Sequence, residues 1–407
     1  MYNNITHNLL CWVDKRFPLS KLWKEHMSHY YAPKNFNFWY YFGSLALLVF
    51  GMQVLSGIWL TMFYNPSSAE AFDSVEYIMR DIRYGWLIRY IHSTGASFFF
   101  IVVYLHIFRG LMYGSYRKPR ELLWIIGVVI FLSLMAECFF GYLLPWGNMS
   151  FWGAQVITSL FGAIPVIGES LVEWIRGDYT VSGVTLNRFF SIHVSAMPLI
   201  FLILIAVHLM ALHEVGSSNP DGIEIKENKN EKGIPVDGIP MHPYYTVKDL
   251  FGFSVFFIFF FYIALFIPDF FGFFIEAPNF TPADQLATPE HIAPVWYMTP
   301  YYAILRAIPN KLLGIVAMGA SIAILFILPW LDRSPVKSIR YKGFMSKFAL
   351  LLFVISFFIL GYLGMEPPSE GKTLLAQICS FIYFAFFLLM PLYSSKDKCK
   401  DVPKRVR

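Results

Sequence analysis

Eight segments of this chain are long and apolar enough to cross a lipid bilayer. The bilayer core offers no water to an exposed backbone, so only helices and closed barrels can span it. Uninterrupted apolar runs of roughly 18 residues or more favour helices. The segments are Phe38–Phe63, Tyr90–Phe108, Leu122–Leu144, Phe189–Leu212, Leu250–Pro268, Leu312–Leu331, Phe348–Met365 and Leu374–Leu392. The sequence therefore predicts an all-α membrane protein with eight transmembrane helices.

The composition supports a membrane protein and argues against a nucleic-acid partner. Charged residues make up 14% of the chain, whereas soluble domains average about 25%. The net charge of +5 would suit nucleic acid, but the basic residues flank apolar segments, where orientation signals are expected. We therefore expect membrane lipids, and no nucleic acid, around this chain.

The distribution of lysine and arginine predicts the orientation. Eight spans leave both termini on one side, and the segments on that side carry 24 of the 32 basic residues. Short cytoplasmic loops are enriched in these residues. Both termini are therefore expected to be cytoplasmic, with the odd-numbered spans running outward.

Two of the apolar segments each carry two histidines, His92 with His106 and His193 with His208. Fourteen residues of helix separate His92 from His106, which is roughly 21 Å of rise. Ionisable residues inside a bilayer are costly and by default functional. Facing helices would form an outer pair, His92 with His193, and an inner pair, His106 with His208. Paired imidazoles on two levels suit the axial ligation of two haems, and hence electron transfer across the membrane.

Four glycines repeat the histidine spacing. Gly43 and Gly57 lie fourteen residues apart in the first segment, and Gly127 and Gly141 lie fourteen apart in the third. Glycine lacks a Cβ and allows close approach, so these positions predict slots for the edges of two haem rings. Ordinary packing of small residues between helices is the alternative for any single glycine.

Three arginines flank the histidines. Arg89 precedes the first histidine, Arg109 follows the second and Arg188 precedes the third, each within five residues. Haem propionates are anions near the membrane interfaces, and a guanidinium can bind one through charge-assisted hydrogen bonds. Interfacial snorkelling of the side chains is the alternative.

The histidines of the fourth segment are fifteen residues apart rather than fourteen. A regular helix would then turn them about 60° away from each other. Pro198 lies between them and would kink the helix, and a local bulge can absorb one residue. We therefore expect a distortion between Val194 and Leu202.

Four motifs occur in a fixed order along the chain. They are Gly85-Trp86-Leu87-Ile88-Arg89-Tyr90-Ile91-His92, Gly141-Tyr142-Leu143-Leu144-Pro145-Trp146-Gly147, Arg188-Phe189-Phe190-Ser191-Ile192-His193 and His242-Pro243-Tyr244-Tyr245-Thr246-Val247-Lys248-Asp249. Together they resemble cytochrome b, the quinol-oxidising core of the respiratory cytochrome bc complex (quinol–cytochrome c reductase), in its bacterial type. The resemblance covers nearly the whole chain.

The resemblance implies a mechanism and a set of partners. Quinol would be oxidised near the outer face, with one electron passing to a Rieske iron–sulfur protein. The other electron would cross two b haems, an outer low-potential and an inner high-potential one, and reduce quinone near the inner face. A c-type cytochrome subunit, ubiquinone as the quinone, a homodimeric complex and a bacterial inner membrane are implied as well.

The resemblance also assigns site residues. His92 and His193 would bind the outer haem, and His106 and His208 the inner haem. The outer quinol site would include Tyr142, Pro294, Trp296 and Tyr297, and the inner quinone site would include His213, Lys248 and Asp249.

One position departs from the family pattern. The outer motif commonly reads Pro-Glu-Trp-Tyr, but Val295 stands where the glutamate is usual. Quinol oxidation releases protons, so another acceptor is needed. Glu137, the only carboxylate inside the third segment, is the first candidate, and a structural glutamate bonded to a neighbouring helix is the alternative. Glu290 and His291 are rival acceptors, because they lie just before the altered motif.

The sequence divides into five regions. These are a cytoplasmic arm at 1–35, a di-haem four-helix bundle at 36–213, a cytoplasmic loop at 214–249, a C-terminal four-helix region with the outer quinol-site loop at 250–395, and a basic cytoplasmic tail at 396–407. A glycine-rich stretch, Phe151–Ile167, predicts short surface helices.

Two other functions are compatible with intramembrane histidines. A transporter with a His/Glu proton relay would explain the charges but not the paired spacing. A di-haem anchor of another oxidoreductase would explain the spacing but not the quinone-site motifs.

Overall fold

Eight helices in the computed structural model, which describes residues 2–24 and 30–406, are long and apolar enough to span a membrane. We number them spans 1 to 8 in chain order. They are Phe38–Thr61, Gly85–Tyr113, Glu121–Leu143, Gly183–Val215, Met241–Phe266, Lys311–Leu331, Phe344–Met365 and Glu370–Leu388. The predicted all-α fold with eight transmembrane helices is confirmed, and the chain is a multi-pass membrane protein.

Shorter helices and one pair of strands connect the spans. The helices are Tyr2–Asp14, Leu19–Trp23, Ala71–Arg80, Asn148–Leu160, Gly168–Arg176, Thr299–Ala307 and Met390–Lys396. The strands Tyr31–Pro33 and Gly238–Pro240 pair antiparallel. The short helices expected around Phe151–Ile167 are present, but Phe151 itself is only 3% exposed, so this region is partly buried rather than purely superficial.

Three histidines lie near the N-terminus. His7 is exposed, and His26 and His29 lie outside the described residues.

Span 2 is longer than its apolar segment predicts. It runs from Gly85 to Tyr113 and so contains Arg89 and Arg109 within its helical turns. Long basic side chains can reach an interface from inside a helix, so the uncharged segment sets only a minimum length. Gly114 ends the helix at φ 63°, a left-handed conformation that glycine adopts readily.

Span 4 contains the predicted distortion, but at an earlier position. Residues Ile192–Ala196 form a π turn, and Pro198 follows it. A π turn absorbs one extra residue, which turns His193 and His208 back toward a common face. The π turn overlaps the predicted interval at residues 194–196 and begins two residues before it. The ring of Pro198 clashes with the carbonyl of Val194, four residues earlier, which disfavours a regular helix there.

Ion pairs join several segments at the end of the bundle that carries both chain termini. The pairs are Lys34–Asp237, Arg405–Asp237, Arg120–Glu224, Lys337–Glu224 and Arg340–Asp221. The hydrogen bonds from Arg405 hold the pKa of Asp237 well below its usual range, so the carboxylate stays ionised. The N-terminal arm, the loops after spans 2, 4 and 6, and the tail therefore share one end.

The loop after span 5 is fixed against the chain that follows span 3 at the opposite end. The backbone N–H of Asn148 donates to the carbonyl of Thr281 at 3.0 Å. Gly147 approaches Asn279 so closely that a Cβ on Gly147 would lie 2.6 Å from the Asn279 Oδ1 atom. Only glycine fits at this contact, which positions the outer loop rigidly over the end of span 3.

Candidate functional site

The four histidines form two pairs between spans 2 and 4. The ring centroids of His92 and His193 are 6.1 Å apart, and those of His106 and His208 are 6.5 Å apart. One metal ion bonded to two imidazoles at roughly 2.0–2.1 Å would hold the ring centroids about 6.4 Å apart. Both pairs therefore have the spacing that the two axial ligands of one iron require.

Each of the four predicted glycines faces one histidine ring. A Cβ would lie 3.4 Å from His106 at Gly43, 3.2 Å from His92 at Gly57, 3.3 Å from His208 at Gly127 and 2.5 Å from His193 at Gly141. The shared fourteen-residue spacing thus has a structural cause. An imidazole ring lies beside each glycine, and the predicted slots for the haem edges stay a prediction.

Hydrogen bonds fix which ring nitrogen is free in the outer pair. Nδ1 of His193 lies 3.2 Å from the carbonyl oxygen of Glu137, which can only accept. Nδ1 of His92 lies 2.9 Å from Oγ of Ser56, whose own proton goes to the carbonyl of Met52. Both Nδ1 atoms therefore carry the proton and donate it, and both Nε2 atoms present a lone pair to a metal.

Polar atoms near the inner pair are poorly satisfied. Nδ1 of His208, Nε of Arg109 and the hydroxyl of Tyr40 are buried and have no hydrogen-bond partner in the described part of the chain. The hydrogen bonds of Arg109, to Nδ1 of His106 and to two serine hydroxyls, are all long at 3.4 Å, and its guanidinium lies 4.8 Å from the centre of the Tyr40 ring. Leaving a buried cation unsatisfied is costly, so this guanidinium fits an anion such as a haem propionate.

The other two arginines predicted to bind propionates differ in their surroundings. Arg89 is half-buried one helical turn before His92. Arg188 is exposed and donates to the carbonyl of Trp174 at 2.7 Å, near the end of helix Gly168–Arg176. Helix C-termini attract cations. The structure therefore shows a contact between Arg188 and a helix C-terminus, and propionate binding by Arg89 and Arg188 stays a prediction.

Glu137 contacts a histidine of the outer pair rather than Tyr142. Its Oε1 lies 3.1 Å from Nδ1 of His193. Residues five apart on a helix point about 140° away from each other, and residues four apart only about 40°. Glu137 consequently shares the helix face of Gly141 and not that of Tyr142. The contact matches the alternative of a glutamate bonded to a neighbouring helix, and the proton-acceptor role of Glu137 stays a prediction.

Tyr142 contacts a carboxylate that the motifs did not single out. The Tyr142 hydroxyl donates to Oε2 of Glu276 at 3.0 Å, and Nδ2 of Asn279 lies 3.0 Å from both oxygens. We call these three residues the outer triad. Burial raises the pKa of the Glu276 carboxyl to about 6. One sequence signal could have found it, since Glu276 is a lone carboxylate that follows the apolar run 270–275.

The altered motif packs beside the outer triad. The indole N–H of Trp296 donates to Ser97 of span 2 at 3.1 Å, and its ring stacks with that of Phe274, two residues before Glu276. Tyr297 is 5% exposed. Val295 packs against the apolar core and places no polar group here.

The rival proton acceptors lie apart from the outer triad. Glu290 is exposed. Nε2–H of His291 donates to the carbonyl of Met365 at 2.9 Å, at the end of span 7. Pro294 is half-buried at the start of the altered motif. These contacts give His291 a structural partner and leave Glu290 facing solvent.

The predicted inner-site residues lie at the end that carries the termini. The ring of His213 is 4.4 Å from that of Tyr30, and the Tyr30 carbonyl accepts a hydrogen bond from the start of span 5. Asp249, in span 5, accepts a hydrogen bond from Ser44 of span 1 at 3.0 Å. Lys248 is exposed beside it. Tyr30 thus contacts both His213 and span 5, which carries Lys248 and Asp249.

Comparisons with known proteins agree along the whole chain. The family described as "Cytochrome b/b6/petB" matches residues 27–216, and "Cytochrome b(C-terminal)/b6/petD" matches residues 282–384. Cytochrome b of Allochromatium vinosum is 61% identical, covering 98% of each chain. Cytochrome b of Rickettsia bellii is 48% identical, covering 98% of this chain and 97% of the relative.

A solved structure shows the same fold. A chain of the "Hyperthermophilic respiratory Complex III" structure is 41% identical and superposes with a TM-score of 0.88, covering 95% of this chain and 98% of that one. The two histidine pairs lie within residues 27–216, the range of the first family match. This chain belongs to the cytochrome b family, the haem-binding core of complex III, the quinol–cytochrome c oxidoreductase.

Proposed function

We propose that the chain carries electrons between two quinone sites through two b haems. His92 and His193 bind the outer haem, and His106 and His208 bind the inner one. The observation that carries this proposal is the spacing of both histidine pairs, 6.1 and 6.5 Å between ring centroids. When bound, the haems supply one-electron steps through the apolar bundle.

The surrounding side chains orient the ligands and balance charge. Ser56 and the carbonyl of Glu137 accept the Nδ1 protons of the outer pair, which holds both rings with Nε2 facing inward between the helices. Such hydrogen bonds to the outer nitrogen of a metal-binding imidazole raise its basicity. Arg109 supplies the buried cation that a propionate on the inner level needs.

The outer site oxidises quinol beside Tyr142 and the segment 294–297. One electron passes to a Rieske iron–sulfur partner and the other to the outer haem, and both quinol protons leave toward the outer face. The buried ring of Tyr297 and the Trp296–Ser97 hydrogen bond give this site a fixed wall. Release of protons outside and uptake inside makes the reaction proton-translocating.

The partners and the location follow from the family and the charge pattern. The similarity to a complex III chain supports a Rieske protein and a c-type cytochrome as partners, in a homodimeric complex surrounded by lipid. The bacterial relatives support a bacterial inner membrane. The lysine and arginine distribution supports a cytoplasmic location for both termini, and ubiquinone is the proposed quinone.

The inner site binds quinone with His213, Lys248 and Asp249. A quinone that receives two electrons must also receive two protons, and a carboxyl group and an imidazole can deliver them. Asp249 is half-buried, and its Oδ1 atom accepts a hydrogen bond from Ser44. It is therefore placed to exchange protons at the end that carries the termini.

Replacing Asp249 with asparagine is expected to slow reoxidation of the inner haem by quinone roughly 10²-fold, because a general acid would be lost. Stopped-flow absorbance of the pre-reduced complex measures this step. Asp401→Asn, in the exposed tail, is the matched control and should reoxidise at the wild-type rate. An unchanged rate in Asp249→Asn would show that the inner quinone takes its protons elsewhere.

Replacing Glu137 with glutamine is expected to raise the midpoint potential of the outer haem. The substitution removes a carboxylate that lies 3.1 Å from an iron-binding imidazole, and a negative charge disfavours electron uptake. At an effective dielectric constant of about 20 the shift is on the order of 100 mV. A redox titration measures it, with Glu121→Gln at the far end of span 3 as control. Equal potentials in Glu137→Gln and the wild type would contradict an electrostatic effect of this side chain on the outer haem.

A further inference from the structure

The altered motif leaves the outer site without its expected proton acceptor. Val295 is apolar and packs against the core. Glu137 bonds to His193, His291 to the Met365 carbonyl, and Glu290 faces solvent. Of the carboxylates that these observations bring near Tyr142, Glu276 is the one in direct contact with it.

The geometry around Glu276 leaves one carboxylate oxygen outside the outer triad. Oε2 accepts from the Tyr142 hydroxyl and from Nδ2 of Asn279, each at 3.0 Å. The same Nδ2 group donates to the Tyr142 oxygen at 3.0 Å. Oε1 takes part in none of these three bonds. A carboxylate held by one oxygen can receive a proton on the other without losing its position.

The triad is mounted on a rigid support. Oδ1 of Asn279 accepts the backbone N–H of Ser150 at 2.8 Å, and the contact with Gly147 leaves no space for a Cβ. Phe274, two residues before the glutamate, stacks with Trp296 of the altered motif. Glu276 therefore reaches from the loop after span 5 into the same region as the segment that lost its carboxylate.

We propose that Glu276 accepts a proton from quinol at the outer site, replacing the carboxylate that Val295 lacks, with Tyr142 and Asn279 orienting it. This deepens, and rests on, the proposed quinol oxidation. One quinol becomes one quinone by losing two electrons and two protons. One electron goes to the iron–sulfur partner and one to the outer haem. One proton bonds to the Glu276 carboxylate and later passes to the outer aqueous phase, and the second leaves through water or the iron–sulfur partner.

The titration of Glu276 gives the proposal a pH signature. Burial raises its pKa to about 6, and the titratable groups that face it are Tyr142 from span 3 and Tyr297 from the altered motif. Above pH 6 the carboxylate is free to take a proton, and below pH 6 it is already protonated. The rate of quinol oxidation should therefore fall as the pH drops through about 6.

The test compares pH–rate profiles of quinol oxidation in the intact complex. Glu276→Gln should slow oxidation roughly 10²-fold, the usual contribution of a general base, and should abolish the change near pH 6. Glu276→Asp keeps a carboxylate, so its rate should still fall as the pH drops; this falling part of the profile is the pH-dependent limb. Tyr142→Phe removes a donor that stabilises the ionised form, so the limb should move to higher pH. Glu169→Gln, exposed on the helix Gly168–Arg176, is the matched control.

Reduced-minus-oxidised spectra and inner-haem reoxidation by quinone are recorded for every variant. If both remain normal while Glu276→Gln keeps the wild-type rate and profile, the role of Glu276 is overturned and the proposed function stands. The role of Glu276 would also be overturned if the fall in rate near pH 6 were lost in Glu290→Gln and kept in Glu276→Gln. If the wild-type complex lacks two b haems, the proposed function itself fails. If the Glu276→Gln complex does not assemble, Tyr142→Phe still tests the proposal. A pH-dependent limb at the wild-type pH in Tyr142→Phe would contradict it.

Discussion

Replacing His106 or His208 with leucine is expected to remove the inner haem and leave the outer one. The two histidines form one pair with centroids 6.5 Å apart, and roughly 21 Å of helix separates them from the outer pair. Leucine fills similar space but cannot bind iron. The haem content per chain should fall by about half, and the absorption band of the higher-potential haem should disappear.

The matched control for this prediction is His7→Leu. His7 is exposed in the N-terminal arm, so its loss should leave both haems in place. Retention of both haems in His106→Leu and His208→Leu would contradict the assignment of the inner ligands. Loss of both haems together would instead show that the bundle does not form without the inner one.

Replacing Gly141 with alanine is expected to weaken binding of the outer haem by about 10–100-fold, the usual cost of disturbing a metal ligand. The added Cβ would lie 2.5 Å from the ring of His193, which is closer than real carbon contacts allow, so the imidazole must move. The haem occupancy at increasing dilution measures the change. Gly127→Ala places its Cβ 3.3 Å from His208 and should have a smaller effect on the inner haem.

Gly51 in span 1 provides the control for the glycine series. A Cβ at Gly51 would meet nothing within 4 Å, so Gly51→Ala should leave both haems bound. Alanine is also the better helix former at every one of these positions. An equal loss of haem in Gly51→Ala would attribute the effect to the helices in general. An unchanged occupancy in Gly141→Ala would show that the imidazole can shift freely.

The eight spans could be predicted from the sequence because the bilayer demands an apolar surface and internal backbone bonding. Their ends could not be predicted in the same way. Arg89 and Arg109 end the uncharged segment of span 2, yet the helix continues past both. A basic side chain at an interface is compatible with a helix inside or outside the membrane, so charge marks the interface and not the helix end.

The site was predictable where it depends on one helix and not where two loops meet. The spacing of the histidines and glycines is a property of single helices, and the structure brings each glycine to a histidine ring. The outer triad depends on the loop after span 5 folding back onto the chain after span 3. No local pattern encodes that contact. Helix geometry could have separated Glu137 from Tyr142, because five residues turn the two side chains about 140° apart.

The comparisons argue against the two alternative functions, a proton-relay transporter and a di-haem anchor of another oxidoreductase. The two histidine pairs and the segment 294–297 fall within the matched families, at 27–216 and 282–384, whereas Lys248 and Asp249 lie between the two matches. A proton-relay transporter would need no paired histidines at iron-ligand spacing. The division of the chain into five regions stays a prediction, because the fold shows continuous packing of spans rather than boundaries.

The central claim is that each histidine pair binds one b haem. A potentiometric titration of the purified complex, followed by optical absorption and combined with haem quantification, tests it most directly. Two low-spin b haems are expected for every copy of this chain, reduced in two separate one-electron steps. A single haem per chain, or a high-spin spectrum that reveals an open axial position, would contradict it.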